Sequence, residues 1–264
     1  MSSTLDPTTG RAEISAKTLR TDRWWVSPML TAVGLVAWIV YAVVHTFMQK
    51  WYFVPEYNYL TPFYSPCVSL GCDPAAAHFG RFVPDVWWLP YALVSLPFLG
   101  LFRFTCYYYR KAYYRSFWWS PPACAVRDAR FKYTGETRFP LILQNIHRYA
   151  FYLALPFPIF LTWDAVQAFF FPDGFGMGLG TIVLCVNVVL LWGYTLSCHS
   201  CRHLVGGRLD QFSKHRVRHY LWKRVSWLNV HHARWAWASL FSVALADLYV
   251  RLVASGTITD PRLF

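Results

Sequence analysis

Charged residues are scarce in this sequence of 264 residues. Asp, Glu, Lys and Arg make up 14% of the chain, against about 25% in an average soluble domain. Hydrophobic residues make up 56% and aromatic residues 20%. This charged fraction is too small for the surface of an ordinary soluble domain. The high apolar content excludes an intrinsically disordered protein. The composition favours a protein that lies largely within a lipid bilayer.

Acidic residues are the scarcer of the two charge types. The chain has 13 Asp and Glu against 25 Lys and Arg, so its formal net charge is +12. A basic chain can indicate nucleic-acid binding, but here the basic residues lie between long apolar runs, as in membrane proteins. No nucleic-acid motif, GxGxxG sequence, P-loop, internal repeat or low-complexity tract is present. Seven cysteines are too few for a disulfide scaffold but are enough for a metal site.

The apolar runs predict an all-α membrane protein. About 20 apolar residues in a helix cross the hydrocarbon of a bilayer. The chain divides into a polar tail at 1–23 and one transmembrane domain at 24–264. The predicted bundle has five transmembrane helices, at 28–49, 86–108, 140–171, 177–201 and 228–253. An amphipathic helix at the membrane interface is predicted between the fourth and fifth spans, because 202–224 mixes basic and apolar residues.

The basic residues predict how this bundle is oriented. The tail, the 103–138 segment and the 202–234 segment hold 20 of the 25 Lys and Arg residues. Basic loops face the cytoplasm in membrane proteins. We therefore expect a multi-pass protein of the plasma membrane with a cytoplasmic N-terminus and an external C-terminus.

The densest group of chemically capable residues lies at the predicted cytoplasmic end of the fourth span. Cys198 and Cys201 form a C-x-x-C pair, and thiolates and imidazoles are ligands for zinc and iron–sulfur centres. The predicted metal ligands are Cys198, Cys201, His203, His231 and His232. Two cysteines and two histidines suit a Rieske-type [2Fe–2S] centre. His147 lies at a similar depth, so a bis-histidine haem with His231 or His232 is an alternative, as is the absence of any cofactor.

A quinone head group needs hydrogen-bond donors in an otherwise apolar slot. The residues predicted to supply such a site at this depth are His147, Arg148, Tyr194, Ser197 and Trp235. The competing interpretation is an aromatic belt at the membrane interface.

The opposite, external side carries a smaller set of polar groups. Cys67 and Cys72 are expected to form a disulfide, since that compartment is oxidising. Cys106, Cys124 and Cys185 are expected to be packing residues. Asp164 and Asp247 are expected to form structural pairs, with each other or with Arg251, and a proton path is the alternative.

Several segments together resemble a known family, the membrane-anchor subunit of actinobacterial succinate dehydrogenase of the mycobacterial type 1 kind, an SdhC-type subunit. The segments that carry the resemblance are 59–67, 198–219, 228–232 and 252–258. The first 25 residues add nothing to it.

The resemblance implies a function that residue spacing alone does not. Such an anchor holds a flavoprotein subunit, with its FAD, and an iron–sulfur subunit with its own clusters, on the cytoplasmic face. Electrons pass from succinate to a quinone, expected here to be menaquinone, and a higher oligomer of the complex is possible. The succinate site lies on another chain. The family is associated with a membrane-embedded Rieske-type [2Fe–2S] centre, whereas a haem b anchor and a cofactor-free structural anchor are the alternatives.

Overall fold

The computed structural model describes residues 22–120, 123–124, 126, 135–139 and 141–264. The described chain is mainly helical, with two small hairpins. Only the last two positions of the predicted tail are described. The other residues that lie outside the described part include Arg127, Arg130, Lys132 and Pro140. The nine α-helices of the described part are α1 Val26–Met48, α2 Leu96–Phe104, α3 Tyr107–Phe117, α4 His147–Ala154, α5 Pro156–Gln167, α6 Leu179–Leu196, α7 His199–Gly206, α8 Arg216–Val230 and α9 His232–Ala254.

The hairpins are β1 (Phe53–Val54) with β2 (Tyr59–Leu60), and β3 (Phe170–Phe171) with β4 (Gly174–Phe175). Both pair antiparallel. Short 3-10 helices lie at Pro62–Tyr64, Tyr91–Val94, Gly135–Thr137 and Leu141–Ile146.

Four helical stretches of the described chain are long and apolar enough to cross a membrane. They are Val26–Met48, Leu141–Gln167, Leu179–Leu196 and His232–Ala254. They match the first, third, fourth and fifth predicted spans, so a helical protein of the membrane is confirmed. The predicted third span bends at Pro156, which starts α5 because proline lacks the N–H of a continuous helix.

The predicted second span is wrong as a long helix, so the count of five is not confirmed. In its place lie turns, the 3-10 helix Tyr91–Val94 and the nine-residue helix α2. Pro97 at the start of α2 cannot continue a helix from the preceding turn. Nine residues rise about 14 Å, less than half of a bilayer's hydrocarbon thickness. Cys106 is extended, with φ −66° and ψ 130°, and separates α2 from α3.

The bundle has two ends. The His45 end holds the C-termini of α1 and α9, because Arg251 donates hydrogen bonds to the carbonyls of His45 and Lys50. It also holds the two hairpins and the disulfide between Cys67 and Cys72, which confirms the predicted pairing. The His147 end holds α3, α7, α8 and the N-terminus of α4.

The predicted fourth span also ends earlier than expected. Helix α6 stops at Leu196, and Cys198 adopts extended backbone angles before α7 begins. The predicted amphipathic segment forms the end of α7 and the first part of α8. Helices α6 and α9 pack closely because Gly193 has no side chain: a Cβ there would lie 2.4 Å from Cε3 of Trp235. This close packing brings Ser197 beside His232.

Candidate functional site

Two imidazoles and two thiols meet in pairs at the His147 end. His147 Nε2 lies 3.1 Å from Cys198 Sγ, and His232 Nε2 lies 3.4 Å from Cys106 Sγ. The four residues come from the start of α4, the α6–α7 break, the start of α9 and the α2–α3 break. Cys106, Cys198 and His232 are fully or nearly fully buried. The breaks in the helices therefore place the thiols where a continuous helix would not.

Hydroxyl groups fix the orientation of both imidazoles. Ser197 Oγ lies 2.7 Å from His232 Nδ1 and donates its own hydrogen to the Tyr194 carbonyl. Thr105 Oγ1 lies 2.9 Å from His147 Nδ1 and donates to the Leu101 carbonyl. A hydroxyl has one hydrogen, so each oxygen accepts from the Nδ1–H of its imidazole. Each Nε2 consequently has a lone pair that faces a sulfur atom. A histidine that binds a metal is oriented in the same way, because its other ring nitrogen donates a hydrogen bond.

Aromatic rings hold the imidazoles in place from the side. Phe102 stacks on His147 with ring centroids 5.1 Å apart. Tyr194 stacks on His232 at the same separation. Phe102 and Tyr194 also contact each other. The imidazoles are therefore fixed both by hydrogen bonds and by packing.

Burial controls the state of the thiols. It raises the pKa of the Cys198 thiol to about 12, and it also raises the pKa of the Cys106 thiol. Both groups keep their protons near neutral pH unless a metal displaces them, since metal binding and thiol deprotonation are coupled. The Cys198 sulfur accepts a hydrogen bond from the Ser200 backbone N–H, which would also stabilise a thiolate.

The structure brings together part of the predicted ligand set. Cys198 and His232 lie in the site, whereas His203 contacts the exposed Arg148 and His231 packs against Trp227. Cys201 belongs to the same buried cluster as Cys198. Within the described ranges, no three His, Cys, Asp or Glu side chains are placed to hold a single metal ion.

Cys106 packs in the buried core, as expected, and its sulfur also contacts His232, which sequence reasoning did not predict. The one available signal was its position at the basic end of the predicted second span, at the depth of Cys198.

The predicted quinone residues divide between the site and its surroundings. His147 and Ser197 take part in the hydrogen bonds described above, and Arg148 points away toward His203. The buried Tyr194 hydroxyl and the Trp235 indole N–H have no hydrogen-bond partner in the part of the chain that the structure describes. Buried polar atoms without partners are rare in proteins and indicate a place for a missing partner.

An apolar cavity of about 520 Å³ adjoins the site. Its walls come mainly from α1, α2, α3 and α6, and they include Phe102 and Tyr194, which stack on the two imidazoles. Ile39 and Phe104 line the cavity and are also half exposed on the outer surface of the bundle. The cavity therefore reaches from the membrane-facing surface toward the site.

Arg103 places a positive charge in the wall of this cavity. Its guanidinium donates to the Tyr109 hydroxyl at 2.8 Å, to the Ala236 carbonyl at 3.2 Å and to Ser239 Oγ at 3.1 Å. It also lies 4.6 Å from the centre of the Tyr194 ring. Among the described residues, Arg103 forms no ion pair with a carboxylate. A cation without a counter-ion in an apolar wall favours a ligand that carries acceptor oxygens.

Comparison with known proteins shows the family. The family model of the actinobacterial succinate dehydrogenase subunit SdhC matches residues 26–256. The chain belongs to this SdhC family. It is thus a membrane-anchor subunit of succinate dehydrogenase, as the resemblance implies, and the succinate site lies on another chain.

A solved structure supports the same assignment for this SdhC-family chain. A chain of the "Mycobacterium smegmatis Sdh1 complex in the apo form" is 58% identical, with a TM-score of 0.90 and 97% of each chain covered. A comparison with curated proteins gives no match.

Proposed function

We propose that this subunit passes electrons from the soluble part of succinate dehydrogenase to a quinone through a Rieske-type [2Fe–2S] centre. The observation that carries the proposal is the pair of imidazoles whose Nε2 atoms face thiols while their Nδ1 atoms are held by Ser197 and Thr105. We propose Cys106, Cys198, His147 and His232 as ligands.

The donor set fits such a centre. A Rieske centre takes two thiolates on one iron and two imidazoles on the other. Two thiols and two imidazoles, the donors that such a centre takes, lie here in two thiol–imidazole pairs. When bound, the centre supplies one-electron transfer. The chain's own part is to supply neutral imidazoles with fixed orientation and to exclude water. Cys201, His203 and His231 remain the sequence-based alternatives.

The quinone is proposed to occupy the apolar cavity. A volume of about 520 Å³ lies within the range of about 300–1,000 Å³ that is usual for small-molecule sites. The apolar walls would take the isoprenoid tail, while Arg103 and the unpartnered Tyr194 hydroxyl offer donors to the carbonyl oxygens of the head group. Menaquinone remains the expected species.

The His147 end is proposed to face the cytoplasm and the soluble subunits. It carries the basic residues of α3, α7 and α8, which basic-inside topology places in the cytoplasm. The flavoprotein and iron–sulfur subunits are the proposed partners on this face. Their electrons would then enter next to the four proposed ligands. The N-terminus would lie on the same side and the C-terminus outside.

The experiment is electron paramagnetic resonance of the purified, dithionite-reduced complex, with iron and acid-labile sulfide analysis. The unaltered complex should show a Rieske signal and two irons beyond the content of the soluble subunits. His147→Gln and His232→Gln should each abolish that signal in an assembled complex. His219→Gln, which changes a histidine of α8 that stacks on Phe212, is the matched control and should keep it.

Other outcomes would overturn the proposal or its ligand set. Absence of the signal and of the extra iron from the unaltered complex would refute the centre. A b-type optical band in its place would establish the haem alternative. Loss of the signal in His203→Gln or His231→Gln, with retention in His147→Gln, would favour the sequence-based ligands over those proposed here.

A further inference from the structure

A buried carboxylate lies at the His45 end, far from the proposed ligands. Asp247 on α9 is 0% exposed. Its Oδ2 accepts hydrogen bonds from the Tyr41 hydroxyl at 2.7 Å and from Arg251 Nε at 2.8 Å. Its Oδ1 is buried and has no partner among the described residues. An acid inside a membrane span is costly, and its placement calls for an explanation.

His45 lies beside this acid and toward the outside. Its Nδ1 is 3.9 Å from Asp247 Oδ2, and its side chain is 15% exposed. Nδ1 forms no hydrogen bond with any described residue. The imidazole packs on the Tyr41 ring with centroids 4.1 Å apart. An imidazole, which can carry a proton on either ring nitrogen, therefore lies between the surface of the bundle and the buried carboxylate.

Arg251 bonds to two backbone carbonyls as well as to Asp247. Its guanidinium donates to the Lys50 carbonyl at 2.7 Å and to the His45 carbonyl at 3.2 Å. It also lies 5.3 Å from the centre of the Tyr64 ring, whose hydroxyl bonds to the His45 and Thr46 carbonyls. Arginine keeps its proton in proteins, so it fixes the cluster without carrying protons. A purely structural pair of Asp247 and Arg251 needs neither an open Oδ1 nor His45.

The cluster borders the cavity. Val243 lies one helical turn before Asp247 on the same face of α9, and it lines the cavity. Ala42 and Thr46 of α1, which adjoin Tyr41 and His45 in sequence, line it as well. The cluster thus lies between solvent at the His45 end and the space proposed for the quinone.

We propose that His45 and Asp247 form the entrance through which protons reach the quinone from the His45 side. This inference rests on the proposed function. Succinate oxidation releases two electrons and two protons at the other end. The quinone takes up the two electrons, and each of its two carbonyl oxygens forms an O–H bond with a proton that enters through His45 and Asp247. The open Oδ1 of Asp247 is the last proton-carrying group of this chain on the path.

The test is to follow protons on both sides of proteoliposomes that hold the whole complex with its soluble subunits outward. With succinate and quinone supplied, the unaltered complex should acidify the outside by two protons per succinate. The lumen should lose two protons per succinate. Pyranine in one compartment at a time reports each change. If the protons came from the succinate side, neither compartment would change, and the inference would be overturned.

Variants assign the path to named residues. Asp247→Asn should lower quinone reduction by about tenfold or more, since a lost proton-transfer group commonly costs about 10²–10⁴ in rate. Succinate oxidation with a water-soluble dye, which takes electrons from the soluble subunits, should be unchanged. Asp173→Asn is the matched control, because Asp173 is an exposed acid of the same end that pairs with Arg262.

A second variant protects the test from a folding defect. His45→Gln alters a partly exposed side chain whose Nδ1 has no partner, so it should assemble even if Asp247→Asn does not. It should slow both quinone reduction and proton uptake from the lumen. Normal rates and normal lumenal uptake in His45→Gln would overturn the proposal. Absence of quinone reduction by the unaltered complex would overturn the proposed function together with this inference, whereas uptake from the succinate side overturns this inference alone.

Discussion

Ser197→Ala tests whether hydroxyl groups prepare the imidazoles for metal binding. Ser197 Oγ accepts from His232 Nδ1 at 2.7 Å, and the imidazole is 2% exposed. Alanine would leave a buried N–H without a partner, which costs about 1–3 kcal/mol. If the ring instead moves its proton to Nε2, the nitrogen that faces Cys106 can no longer bind a metal.

The expected size of the effect follows from two separate estimates. A cost of about 1–3 kcal/mol corresponds to a factor of about 5 to 150 in an equilibrium constant, at 1.4 kcal/mol for each tenfold change. Substitution of a group that orients a metal ligand typically lowers metal affinity about 10- to 100-fold. The two ranges agree, so we expect Ser197→Ala to bind its metal centre at least about tenfold more weakly.

The assay is retention of the paramagnetic signal and of iron during a chelator titration of the purified complex. Ser116→Ala is the control, because Ser116 is a buried serine of α3 that donates to the carbonyl one turn earlier and contacts no imidazole. It should behave like the unaltered complex. Equal chelator resistance in Ser197→Ala and Ser116→Ala would refute the reasoning.

Three further predictions concern the cavity, the helix packing and the disulfide. Arg103→Gln should raise the KM for quinone about tenfold or more, because charge-assisted hydrogen bonds contribute about 1.5–3 kcal/mol each. Dye-linked succinate oxidation should not change. An unaltered quinone KM would contradict the proposal that Arg103 binds the quinone. Gly193→Ala should destabilise the subunit by about 1–3 kcal/mol through overpacking against Trp235, and this should be seen as a lower Tm. Gly34→Ala is the control and should leave the Tm unchanged, because no atom lies within 4 Å of the added Cβ. Replacing both Cys67 and Cys72 by Ser should lower the unfolding free energy by about 2 kcal/mol through loss of loop constraint. The paramagnetic signal should persist, because the disulfide lies at the opposite end.

The long spans were predictable because hydropathy over 20 residues measures the cost of transfer to lipid directly. Helices α1 and α9 lie close to the predicted bounds for this reason. Helix α2 was not predictable in the same way, since residues 86–108 are apolar whether or not they form one helix. The backbone restriction at Pro97 determined the outcome, and the hydropathy pattern does not record it.

The site was partly predictable from local spacing. Cys198 was identified by the C-x-x-C pattern, and His232 was identified from its depth. The partner of His232 was missed, because Cys106 contacts it across 126 positions of sequence and through a helix break that has no local signal. The hydrogen bond between Ser197 and His232 likewise depends on the close packing of α6 and α9 at Gly193.

The shortness of α2 has a consequence for how the proposed quinone reaches the cavity. A full-length second span would fill the space beside α1, whereas a nine-residue helix leaves a cavity whose rim includes the half-exposed Ile39 and Phe104. A long-tailed quinone dissolves in the bilayer and not in water, because burial of its apolar surface is favourable. The bilayer therefore acts as the reservoir, in which the local quinone concentration is high. For the quinone proposed to bind in this cavity, weak binding is then sufficient for turnover, and the reduced product can leave rapidly into the bilayer.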